Sequence, residues 1–140
     1  MLSSSSSPFR FYYIVDGKSI TGVYPDEKIA EESEKILTWG QGMTAYLPKQ
    51  VKLFADGAIF SQLMQVKDGY TDGHKGEWMM DLDLFARSFR VYWDLGYQIH
   101  VHVNGDAGLD MLLDQLELNM RRHPRPRPPH CDRSLRGLDA

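Results

Sequence analysis

The chain has 140 residues, 42% hydrophobic and 25% charged, which is ordinary globular composition and enough for one modest core. A net charge of -3 gives no basic patch for a nucleic-acid partner outside the C-terminal end, and the single cysteine, Cys131, excludes an internal disulfide framework. No apolar run approaches the roughly 20 residues needed to cross a bilayer, and the start lacks the basic and apolar regions of a secretion signal, so a cytoplasmic protein without a membrane partner is expected.

Residues 1–8, dominated by Ser3 to Ser7, cannot bury apolar surface and are expected to be a disordered lead-in. Residues 9–15 are aromatic and β-branched and run into Asp16 and Gly17, which predicts a buried strand closed by a turn. Asp26 is placed to cap a helix with Ile29, Ala30, Ser33, Ile36 and Leu37 inside and Glu27, Glu31, Glu32 and Glu34 in solvent; Trp39, Gly40 and Gly42 end it. Residues 51–55 form a second short strand stopped by Asp56 and Gly57, and an irregular stretch follows to Gly76, long enough to suggest function.

Leu82, Phe85, Ala86, Phe89, Tyr92 and Trp93 recur at helical spacing from about Asp81 to Gly96, and residues 97–103 make a third strand. Asp106 then caps a last helix with Leu109, Leu112, Leu113, Leu116 and Met120 as its buried stripe. The packed domain spans 9–122, and 123–140 is an irregular basic tail rich in Arg, Pro and His. Alternating strands and helices define an α/β fold with parallel crossovers, either a doubly wound sheet or part of a barrel, and spacing alone does not choose.

Along the third strand Gln98, His100 and His102 share one face, with His102 nearest the carboxyl end where α/β folds gather their chemistry. Imidazole is the commonest metal ligand, but two histidines fill at most half of a four-coordinate site, and both are equally readable as imidazoles satisfied by local hydrogen bonds. Lys52 lies on a strand short enough to be buried on both faces, where burial favours the neutral, nucleophilic amine; the plainer alternative is a lysine reaching solvent from the strand end. Asp56 and Gly57 read equally as a turn, and Asn104, Gly105 and Asp106 as a strand end and helix cap.

The pieces Val51-Lys52-Leu53-Phe54-Ala55-Asp56-Gly57-Ala58 and His100-Val101-His102-Val103-Asn104-Gly105-Asp106-Ala107, in this order and separation, resemble the amidohydrolase superfamily. The closer likeness is to its exoenzyme-like metal-dependent hydrolases, which include N-substituted formamide deformylases, and it runs from about Phe9 to Pro126. The resemblance implies a partial (β/α)8 TIM barrel, about strands 3 to 5, with Lys52 as the carboxylated lysine of the fourth strand and His102 as the metal ligand of the fifth. It further implies a divalent metal, zinc by expectation, as one or two ions, a carbamate formed on Lys52 from CO2, and a small amide-like substrate. The segment from Tyr70 to Trp78 would border the substrate pocket, with no catalytic role assigned.

The family's His-x-His pair, its later histidine and its aspartate base have no counterpart here, so the chain reads as an internal piece, inactive alone and prone to self-association through unpaired strand edges. Where the family carries an Arg-x-x-Ile-Glu-His type motif, this chain has Arg127-Pro128-Pro129-His130-Cys131-Asp132-Arg133-Ser134. Codons exist for Arg127 through Gly137 that, read one base later, spell Asp-His-Arg-Thr-Val-Ile-Asp-His-Phe-Gly, so a frameshift would account for the tail, and His130 and Cys131 are not read as ligands. The alternative from another class is a small non-catalytic α/β binding or interaction module. A doubly wound hydrolase with a nucleophile ranks last, because no Gly-x-Ser-x-Gly elbow is present.

Overall fold

The computed structural model describes residues 8–125. Three parallel strands, β1 (Phe11–Asp16), β2 (Thr44–Phe54) and β3 (Gln98–His102), form one sheet in sequential order and do not close into a barrel. Helices α1 (Gly17–Val23) and α2 (Asp26–Leu37) connect β1 to β2, α3 (Leu82–Asp94) connects β2 to β3, and α4 (Asp106–Arg122) follows. Sequential strands with every helix packed on the same side are the winding of a (β/α) barrel segment; a doubly wound sheet reverses its strand order and covers both faces.

The core lies between the sheet and the helices. Val15, Val51, Leu53 and Ala55 meet Ile20 of α1, Ile29 of α2 and Phe85, Phe89, Val91, Tyr92 and Trp93 of α3, with Ile99, Val101 and Val103 packed at the margin. Buried hydroxyls inside this layer are paired: Thr21 with Ser88 at 2.6 Å and Ser33 with Tyr92 at 3.0 Å. The helices cover one face of β2, so residues 51–55 are buried on one face, not both; Lys52 and Phe54 are half-buried because among the described residues no layer covers their side.

Several local expectations change. The first strand is a sheet edge with only Val15 buried and Tyr12 58% exposed, because among the described residues β2 is its one strand neighbour. Gly17 does not turn the chain; it begins α1, capped by the Asp16 carboxylate, which accepts from the Lys18 and Ser19 amides. A helix of only seven residues left no long periodic run to read. Pro25, not Asp26, precedes α2, and the Asp26 carboxylate turns to Arg87 and Arg90 of α3, whose hydrogen bonds hold it below the usual carboxylate range.

The second strand starts seven residues before Val51, at Thr44, beyond a register break spanning Pro48 and Lys49 at φ 54°. On α4 the expected stripe divides. Leu112 and Leu116 join the core on the side that packs against α3, whereas Leu109, Leu113 and Met120 are 44–52% exposed. Leu113, Leu116 and Met120 line an open apolar cavity of about 550 Å3 with Glu117 and Arg121.

Arg125 folds back under α3, stacking on Trp93 at 4.0 Å and donating to the carbonyls of Tyr97 at 2.7 Å, Tyr92 at 3.2 Å and Trp93. Residues 123–125 are therefore irregular in backbone yet packed, while the serine lead-in and the tail from 126, with its frameshift reading, lie outside the described residues. Among the described residues no helix is long and apolar enough to cross a membrane.

The close approach of α1 to the sheet yields a test. A Cβ on Gly17 would lie 2.6 Å from Val51 Cγ2, 2.8 Å from Leu53 Cδ2 and 2.9 Å from Tyr92 Cε2, three packed core side chains. Gly17→Ala should cost about 1–3 kcal/mol by overpacking, read as a lower urea midpoint with unchanged slope, although alanine is the better helix former.

Candidate functional site

The bare face of the sheet carries Gln50, Lys52 and Phe54 of β2 beside Gln98, His100 and His102 of β3. Register pairs Lys52 with His100 and Phe54 with His102, so Lys52 and His102 stand on one face of adjacent parallel strands, one rung apart. Asp16 is the β1 neighbour of Lys52 on the same rung, but its carboxylate is used by α1, including a 2.6 Å bond from the Ser19 hydroxyl.

Lys52 is half-buried, and desolvation holds its amine below the ordinary lysine range. Its ammonium lies 5.4 Å from the Phe54 ring, and among the described residues no hydrogen bond or ion pair engages it. Loss of hydration without a compensating charge is the cause, since burial penalises the charged form.

The two histidines differ. His100 Nε2 is 3.1 Å from Gln50 Oε1, a side-chain pair across the strands that satisfies it locally. The Asn104 amide nitrogen lies 2.9 Å from the Gly57 carbonyl, which only accepts, and 3.0 Å from His102 Nε2. Asn104 therefore donates to both, and His102 Nε2 presents a lone pair with the ring proton on Nδ1. A metal ligand needs that lone pair, which the Asn104 amide occupies here; the same hydrogen bond fixes the ring's orientation.

Asn104 is in turn held by Asp56. That carboxylate is fully buried and accepts three backbone amides: Asn104 at 2.8 Å on Oδ1, and Gln65 at 2.8 Å and Gly105 at 2.7 Å on Oδ2. The end of β2, the loop of 57–81 and the turn from β3 into α4 thus meet on one side chain. Gly105 is buried against this loop, where a Cβ would come 1.9 Å from the Gln65 carbonyl oxygen. The plainer alternatives, a turn at Asp56-Gly57 and a strand end and helix cap at Asn104-Gly105-Asp106, leave out this clasp; an acid ending a strand whose next positions are apolar or small is the available signal of burial.

The loop returns along the strand it left. Met79 donates to the Ala55 carbonyl at 2.9 Å, Glu77 to Leu63 at 2.8 Å, and Asp56 bridges Trp78 in antiparallel sense. Between the loop and the β3–α4 turn lies a cavity of about 460 Å3 bordered by Met64, Val66, Tyr70 and Asn104 to Asp106; neither Lys52 nor His102 lines it. Among the described residues no three His, Cys, Asp or Glu side chains form a metal-holding group.

No family model matches the chain, and no curated protein matches it. Among solved structures the chain is similar to an uncharacterized metal-dependent hydrolase from Pyrococcus furiosus, with 32% identity over 49% of this chain and 15% of that one and a TM-score of 0.44. A second, from Pyrococcus horikoshii OT3, is 26% identical over 64% of this chain and 20% of that one, with a TM-score of 0.47. The chain spans a fifth or less of the length of either.

Removing the central carboxylate tests this construction. Asp56→Ala would leave one buried amide, Gly105, and two part-buried ones, Gln65 and Asn104, without their acceptor and should cost about 3 kcal/mol, whereas Asp56→Asn keeps one acceptor oxygen and should cost about 1–3 kcal/mol. Urea unfolding measures the loss, and hydrogen exchange should place the loosened amides at Gln65, Asn104 and Gly105.

Proposed function

We propose that this chain is part of a metal-dependent hydrolase of the amidohydrolase type, acting on an amide or related carbon–nitrogen bond, and inactive by itself. The observation that carries the reading is the placement of Lys52 and His102 on the helix-free face of adjacent parallel strands, near their carboxyl ends, in the two motifs that resemble that superfamily.

The chemistry of the donors fits a divalent metal in part. The Lys52 amine, biased towards its neutral form, can attack CO2: its lone pair forms the N–C bond, one C=O electron pair moves to oxygen, and a proton leaves to solvent. The resulting carbamate offers oxygen donors, and His102 offers Nε2 once Asn104 yields its hydrogen bond. A bound zinc or similar ion would supply Lewis acidity towards a carbonyl and a more acidic water. Lys52 and His102 give at most two residues of a set that needs more, so the remaining ligands must come from further polypeptide.

The absence of a three-ligand group among the described residues favours one second reading, a small non-catalytic α/β module. Metal titration separates the two. Zinc or manganese added with bicarbonate should bind, and Lys52→Ala and His102→Ala should each weaken binding roughly tenfold or more, with His100→Ala as a neutral control. Equal affinity in all four proteins would remove the metal reading.

Among the described residues both outer strands leave one edge unpaired, so self-association belongs to the same proposal. Size-exclusion chromatography should show concentration-dependent oligomers; a monomer melting cooperatively at every concentration would favour the stand-alone module.

A further inference from the structure

The loop of 57–81 is fastened at a second point, independent of Asp56 and of any metal. His74 sits with Nδ1 2.5 Å from Asp72 Oδ1 and Nε2 2.8 Å from the Gln62 carbonyl oxygen. Both partners accept only. A neutral imidazole carries one N–H and can satisfy one of them, whereas the imidazolium donates to both. The ring also stacks on Tyr70 at 3.9 Å, and the Tyr70 hydroxyl donates to the Met64 carbonyl at 3.1 Å.

Other groups around the ring do not supply competing charge. The 3-10 turn Ile59–Ser61 and Gln62 present a carbonyl to it, the loop presents Asp72 and Tyr70, and neighbouring Lys75 and Glu77 make no ion pair with it among the described residues. The side chain is one-third exposed, so protons exchange freely with solvent.

We propose that His74 is a pH-operated latch: its imidazolium ties Asp72 to the turn at Gln62, and loss of its proton releases one tie and loosens the loop between residues 62 and 77. Tyr70 couples the latch to the cavity of about 460 Å3, because it stacks on His74 and borders that space. The Gln62 and Asp72 hydrogen bonds raise the His74 pKa above 6.5, so the latch is complete below 6.5 and is lost as pH rises through the raised value. Asp72, held low chiefly by His74, keeps its part of the latch above 3.8 and loses it as pH falls through its own lowered value.

The test is an NMR titration of the metal-free full chain, with hydrogen-exchange protection of the Gly73 and Glu77 amides corrected for intrinsic rate. His74 should titrate above 6.5, and protection should fall by up to roughly tenfold per pH unit between 6.5 and its midpoint. Asp72→Asn should bring the midpoint down towards 6.5, and His74→Gln should abolish the pH dependence while the chain stays folded. A His74 midpoint at or below 6.5, protection that ignores pH in the unaltered protein, or pH dependence that survives His74→Gln would each overturn the latch. Because the measurement uses no metal, its failure leaves the hydrolase reading untouched.

Discussion

The architecture around the candidate site depends on one buried carboxylate. Removing a charged group from water costs several kcal/mol unless its lone pairs are filled, and Asp56 fills them with three main-chain amides from segments far apart in sequence. Main-chain donors cannot change rotamer, so this arrangement fixes backbone rather than side chains. It sets where Asn104 lies, and through the Asn104 amide it sets the His102 ring. A Cβ on Gly108 would lie 2.9 Å from Asp56 Oδ2, so α4 is held close by the same group.

The division of the sheet into two unlike faces follows from the sequence alternation acting with one-sided helix cover. Val51, Leu53 and Ala55 point into the helices and are at most 1% exposed, while their intervening neighbours remain half-buried. Polar residues on the bare face do not destabilise the sheet, because they reach water. Lys52 is perturbed without being sequestered, since shielding by the adjacent strands removes hydration without supplying a counter-charge.

Much of this was legible beforehand, for identifiable reasons. Helices α2, α3 and α4 follow from apolar residues at helical spacing, β1 and the end of β2 from short aromatic, β-branched or apolar runs stopped by Asp-Gly, and β3 from alternation; the expected start of α3 near Asp81 falls on its cap. The rest depended on contacts that periodicity does not encode. The seven residues of α1 are too few for a periodic signal, and the first half of β2 is interrupted by Pro48 and Lys49 in a strand whose register breaks there. Burial was misjudged wherever it depended on a neighbour: β1 reads as a core strand but lies at an edge, and Leu113 and Met120 read as core but face outward. For the site, spacing groups Lys52 with Phe54 on one strand and His100 with His102 on another, and only the resemblance of the two motifs joins them; the clasp by Asp56 is not legible, because its partners are main-chain atoms with no side-chain signature.

The uncovered surfaces are not scattered. Contacts between helices run α2, α1, α3, α4, and the strands run β1, β2, β3, which puts α4 at the β3 end of the molecule. There a strand edge unpaired among the described residues and the exposed Leu109, Leu113 and Met120 belong to the same end of the two layers, one offering backbone hydrogen bonds and the other apolar area. A right-handed crossover from β3 through α4 leads outward past that edge, so this is where a further parallel strand would pair and bury the apolar flank in one step. Bare leucines beside a free edge raise the free energy of an isolated chain, and a neighbouring strand and helix would remove both costs together. The bare sheet face differs, since its lysine, histidines and glutamines tolerate water. The apolar flank and the polar face thus differ in what water costs them: the first leaves leucine and methionine side chains in solvent, while the second carries groups that water hydrates.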